Sequence, residues 1–346
     1  MWSVSWSWQS NDRISSIHCV GTGVLVSHGL KLTSFSNGGE ILWEIDVPFK
    51  IHSINSSGDS VVILAAHAFY LLDLESGSFI MDGKATHKGF RGVIPRPGGG
   101  WVLSGRSGNV HIFSEKGVGI RRIGLGIVRK LVGWLDRDHL VVHKDDGKVA
   151  VLSLGRNDRI RDISEQTWSW VSNMFDGKIL LQGVNGGLSQ ALPNLKSWDS
   201  IESLERGEIE PMQAVLLEDG WWVLHIDGAI YNISSDLEES KVIGLGMDLG
   251  DLLDSASIDV CVSANKNGLV RLWLSESLAR KLVDMRNSEV TELEKQRVWE
   301  SRREIFQSAK NLEESGDFGS ARGLYEQLGR KADVDRMNRI LRDLVD

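Results

Sequence analysis

Up to about Asp284, apolar and polar positions alternate with a period of two, in short runs broken by glycine, serine, asparagine and aspartate. This pattern predicts short strands joined by tight turns. One unit recurs: a glycine followed by an alternating run, as in GLKLTSF, GNVHIFS, GKVAVLS, GGLSQAL, GAIYNIS and GLVRLWL, with AFYLLDL filling the remaining slot. The anchors at 29, 68, 108, 147, 187, 228 and 268 stand 39 to 41 residues apart. Around them each unit reads as four strands, most plainly KIHSINSS, SVVILAA, AFYLLDL and SFIMDG between Lys50 and Gly83. Repeat 5 is the most irregular, and its polar segment 193–210 is expected to be an insertion loop.

Seven units of about 40 residues predict an all-β seven-bladed propeller. In the first strand, MWSVSWSWQ, strict alternation would place Trp2, Val4, Trp6 and Trp8 on one face and Ser3, Ser5, Ser7 and Gln9 on the other. This strand is expected to join the last blade and close the ring. After Asp284 the period changes to 3.6. Val298, Ile305 and Leu312 recur by sevens beside Trp299, Phe306 and Ala309, and Ser315-Gly316 should end that helix. Asp317 can cap a second helix with Phe318, Ala321, Leu324, Tyr325 and Leu328 on its apolar face, and a third presents Val334, Met337, Ile340, Leu341 and Leu344. The expected division is a propeller over 1–285 and a small α-helical domain over 286–346.

The repeats resemble the WD-repeat and PQQ-like propeller superfamilies. VCVSANKNGLVRLWL is similar to the end of a WD repeat at Ser263, Gly268 and Trp273, with Leu274 where that pattern has aspartate. Repeats 1 and 2 look more PQQ-like, through Gly39, Leu42 and Trp43 in SNGGEILWEID and Asp73 and Gly77 in LDLESGSF. The segment Ala309–Gly329, AKNLEESGDFGSARGLYEQLG, resembles a single tetratricopeptide-like hairpin at Ala309, Leu312, Gly316, Asp317, Phe318, Ala321, Leu324 and Tyr325. It is also similar to the helical repeats that follow propellers in vesicle-coat and transport scaffolds. The resemblance implies that the tail takes part in interactions. A lone hairpin cannot bury both its faces, so the propeller, a second copy or a partner's helices must cover one.

Charge adds an asymmetry to this picture. The net charge is −8, yet Lys84–Arg161 holds 16 Lys and Arg against 6 Asp and Glu, while Asp199–Asp259 holds 2 against 15. Blades 3 and 4 are thus basic and blades 5 to 7 acidic. Arg121, Arg122, Arg129 and Lys130, with Arg156, Arg159 and Arg161, form the densest basic group. They are candidate phosphate contacts, although no aromatic platform interleaves them. Trp221 and Trp222 must point to opposite faces of one strand, so one is expected in the core and the other is a candidate contact residue. Trp299, Phe306, Phe318 and Tyr325 are the corresponding candidates in the tail.

Catalytic chemistry leaves little trace. No HExxH, P-loop, GxSxG or EF-hand spacing is present. GLGIVRK and GLGMDLG are glycine-rich, but neither leads from a strand into a helix. The nine histidines, His87 among them, are scattered, and Cys19 and Cys261 have no metal-ligand spacing. Closure would make those two cysteines neighbours, and buried thiols are the expectation. No cofactor and no metal are expected. No signal-peptide pattern and no apolar run of about 20 residues appear, so a cytoplasmic protein without a membrane span is expected. The function these features favour is a non-catalytic scaffold or adaptor, binding proteins through propeller surfaces and a tail that could also self-associate. The alternatives are a nucleic-acid-associated factor using the basic arc of blades 3–4, and an enzyme with its site at the central channel.

Overall fold

A computed structural model of the chain describes residues 2–21, 23–85, 88–155, 158–204, 209–234, 240–243, 250–265 and 267–343. His87, Arg156, Leu344 and all of GLGMDLG but its last glycine lie outside these residues. The chain divides into two compact units, Met1–Glu276 and Ser277–Asp346.

The first unit is seven four-stranded antiparallel sheets. In blades 1 to 6 the strands follow chain order, and the recurring glycine unit is the third strand of every blade, from Lys31–Phe35 in blade 1 to Leu269–Ser275 in blade 7. First strands touch one another from blade 1 through blade 4 and from blade 6 to blade 7, and the first strand of blade 1, Ile14–Val20, meets that of blade 7, Gly250–Ser257. They form the inner wall of a closed ring. Second and third strands are covered on both faces by neighbouring blades, which is why stretches such as Val61–Leu64 are apolar at every position and fully buried.

Blade 7 takes its outer strand from the N-terminus: Trp2–Gln9 pairs antiparallel with Leu269–Ser275. Its four apolar residues do not share one face, however. A β-bulge between Val4 and Trp6 adds one residue and reverses the alternation. Trp2 therefore packs on Trp222 of blade 6 at 5.1 Å, while Trp6 and Trp8 pack on Phe35 of blade 1 at 5.3 and 5.0 Å. One strand thus clamps blade 7 to both its neighbours.

A second kind of lock recurs at three successive seams, between blades 7 and 1, 1 and 2, and 2 and 3. An outer-strand side chain rests on a left-handed glycine in the last turn of the next blade: Trp6 on Gly39, Trp43 on Gly77, Met81 on Gly117. A Cβ on Gly77 would lie 2.7 Å from the Trp43 ring, so the position admits only glycine. Trp43 completes the contact by donating from Nε1 to the Leu74 carbonyl at 2.8 Å.

Three expectations change. The segment after Pro193 is not simply a loop, because Trp198–Leu204 is the outer strand of blade 5. The helical region starts at Glu276, ten residues before 286. With the N-terminal strand occupying the edge of blade 7, residues 276–285 continue as helix α1 (Glu276–Glu314). The hairpin's apolar face is also met within the tail. Helix α2 (Phe318–Gln327) and helix α3 (Lys331–Asp343) close with the end of α1 on a small core of Ala309, Ala321, Tyr325 and Met337. Asp317 caps α2 as predicted, accepting from the Ser320 N–H.

Candidate functional site

The inner strands enclose a central channel of about 690 Å³, lined by residues from all seven blades. In six blades a bulge interrupts the start of the inner strand, after Ile14, Phe90, Val128, Trp168, Pro211 and Gly250. A bulge lets two consecutive residues face the same side. Arg129 and Lys130 stand at such a bulge, and both belong to the channel lining. Arg91 sits at the matching bulge of blade 3, and His52 just ahead of the inner strand of blade 2.

Lys130 is the most perturbed group in the channel. Its Nζ donates to the Val171 carbonyl at 2.9 Å and lies 5.5 Å from the centre of the Trp170 ring. Loss of solvent lowers its pKa to about 7. Desolvation and then the charge of Arg106 lower that of His52. A smaller cavity of about 320 Å³ adjoins the channel through His52, Met212 and Leu252 and brings in Arg13 and Lys50. The basic side of this mouth is therefore assembled from blades 1 to 4. Arg13, Lys50 and Arg91 in its lining, and Arg106 close enough to act on His52, are cations that were not singled out from the sequence. The missed signal is the repeat register itself: each stands just before, or at the bulge of, an inner strand, or in the turn between the second and third strands.

Another polar constellation closes the ring. His18 Nδ1 meets Asp254 Oδ2 at 2.9 Å, its Nε2 meets Ser56 Oγ at 2.9 Å, and the Cys19 N–H donates to the same Asp254 oxygen. Serine, histidine and aspartate thus stand in the order of a catalytic triad. The Ser56 N–H, however, is engaged by Asn55 Oδ1 at 2.9 Å, which removes one donor from oxyanion duty. What the geometry plainly does is tie blades 7, 1 and 2 together. Cys19 and Cys261 lie buried and unbridged nearby, and burial, helped by Asp254, raises both thiols well above their ordinary range.

The basic group read from the sequence is dispersed. Arg121 is spent between blades, donating to the Gly155 carbonyl at 3.0 Å and pairing with Asp158 at 3.1 Å. Arg129 pairs with Asp145 at 3.2 Å at the channel mouth. Arg122, Arg159 and Arg161 are exposed on outer strands. Both Trp221 and Trp222 are buried, contrary to the expectation that one would be exposed, because blade 5 covers one face of their strand and blade 7 the other. In the tail, Tyr325 is buried, and Phe306 and Phe318 pack against the same small core, whereas Trp299 is 61% exposed.

A second surface stands out on the rim. Ile41 and Leu42, Phe79 and Ile80, and Val118 and Ile120 are 40 to 61% exposed. They lie at the start of the outer strands of blades 1, 2 and 3, immediately after the docking glycines Gly39, Gly77 and Gly117. Because each docking glycine carries a side chain of the preceding blade, the three pairs follow one another along the rim.

Among the described residues no group of three or more His, Cys, Asp or Glu could hold a metal ion, and no helix is long and apolar enough to cross a membrane. The class this architecture defines is the seven-bladed β-propeller followed by a small helical region. The chain is similar to the crystal structure of BamB from Moraxella catarrhalis, with 14% identity, 79% of this chain and 88% of that one covered, and a TM-score of 0.53. It is also similar to the computationally designed Ika8 protein, with 11% identity, coverage of 77% and 98%, and a TM-score of 0.58. Both likenesses are of fold. No family model and no curated protein matches the chain.

Proposed function

We propose that this protein is a non-catalytic scaffold that binds other proteins through its propeller. The observation that carries this reading is the row of six exposed apolar residues on the rim of blades 1 to 3. Single exposed apolar side chains are ordinary, but a row repeated at one structural position is a feature of contact surfaces. The tail supplies a second surface in this reading, supported by exposed Trp299 and by the likeness of Ala309–Gly329 to a tetratricopeptide-like hairpin. A cytoplasmic setting belongs to the same proposal; two buried thiols left unbridged suit a reducing compartment. The test is quantitative affinity purification with the wild type and the I41E/F79E/V118E variant, both checked for folding by circular dichroism. A partner retained by the wild type and lost from the variant is expected. Equal retention by both, or ester hydrolysis by the purified protein that disappears in S56A, would overturn the reading.

A further inference from the structure

We infer that the basic side of the channel mouth binds an acidic peptide segment of a partner protein, one of whose carboxylates reaches Lys130. The inference rests on the protein-binding reading but uses a different surface from the rim. Arg13, Lys50, Arg91 and Arg106 are exposed and have no ion pair among the described residues, whereas Arg96, Arg121, Lys144 and Lys148 all do. Arg13 and Lys50 share the smaller cavity with one carboxylate, Asp251, and Arg91 lines the adjoining channel, so cations outnumber carboxylates on this side and an anionic ligand relieves their repulsion.

Lys130 stands at the inner limit of that field. Its two contacts, a carbonyl and an indole face, are both uncharged, so the ammonium is held without a carboxylate. A carboxylate entering this desolvated place interacts more strongly than one at the surface. The rest of the lining decides the class of ligand. Met212, Asp251 and Leu252, from the acidic blades 6 and 7, complete the smaller cavity beside Arg13 and Lys50. A nucleic-acid strand, charged at every phosphate, would run from the cations onto these residues. A peptide can place its few carboxylates on blades 1 to 4 and an apolar side chain against Met212 and Leu252.

The test is fluorescence anisotropy on the full chain. The probes are fluorescein-labelled acidic dodecapeptides of mixed glutamate and leucine, the same peptides with glutamine for glutamate, and a labelled oligouridylate of equal length. Saturable binding of the acidic peptides is expected. R91A/R106A and K130M should each weaken it by about tenfold, the loss of roughly one charged contact, while R159A/R161A leaves it within about twofold. Binding by the glutamine peptides as tight as by the acidic ones, or no binding by either, overturns the inference. So does an equal loss in R159A/R161A, or tighter binding of the oligouridylate with the same variant pattern. I41E/F79E/V118E should bind the acidic peptides normally, so failure of the rim and failure of the mouth are separate results.

Discussion

At Lys130 a single ammonium links stability to pH. The unfolded chain holds that proton to about pH 10.4, whereas the folded protein releases it near pH 7. Between those values the unfolded state binds more protons, so this residue makes stability rise with pH, by up to about 1.4 kcal/mol per unit. Lys130→Met should remove that contribution. Urea unfolding of both proteins at about pH 6 and about pH 9 checks it: the wild type should gain on the variant at the higher pH, and parallel profiles would sink the argument. Trp222 makes a second prediction at this scale. Its ring is buried between Trp2 and Trp273, and its Nε1 donates to Asp219 at 3.1 Å. Trp222→Ala should cost about 3–5 kcal/mol, measured by the shift in urea midpoint. A cost under about 1 kcal/mol would mean that the clamp between blades 6 and 7 is not formed.

Among the elements, the N-terminal strand carries the largest share of ring closure. Removing residues 2–9 exposes the edge of Leu269–Ser275 and uncovers Phe35 and Trp222. A chain starting near Asp12 should melt at a markedly lower temperature and self-associate through the bared edge. Unchanged melting would remove the strand from the closure. The locks between outer strands and turn glycines allow a milder test. Gly77 has φ of 70°, and Trp43 occupies the place of its Cβ. Gly77→Ala should therefore lower stability by about 1–3 kcal/mol, whereas the reverse sign is expected at a glycine with open space and negative φ, such as Gly155.

For the whole molecule, closure means that damage at one seam is felt throughout the ring. Asp254 holds both the Cys19 N–H and His18, and His18 reaches Ser56, so one carboxylate serves three blades. Asp254→Ala leaves a partly buried N–H without its acceptor and should cost about 2 kcal/mol or more. The expected readout is one cooperative melt at lower temperature, with hydrogen exchange fastest where blades 7 and 1 meet. Two separate transitions within the propeller would show that the blades do not share one closure.

The architecture was legible because it is written in periodicities that survive any packing: the glycine unit near every 40 residues, the alternation within each strand, and the change to 3.6 after Asp284. Glycine anchors, turn residues and the Asp317 cap act within a few residues of themselves, so the sequence alone located them. The candidate site was not legible in this way. A bulge adds one residue to a strand and leaves no mark in composition, yet a bulge separated Trp2 from Trp6, and another falls at Arg129 and Lys130 where the blade 4 strand meets the channel. Ring curvature set beside one another cations as distant in sequence as Arg13 and Lys50, and packing divided the linear basic group between blade contacts, the channel and the rim. Local chemistry decides the element; which side chains share a site depends on register and closure, and those exist only once the seven blades have met.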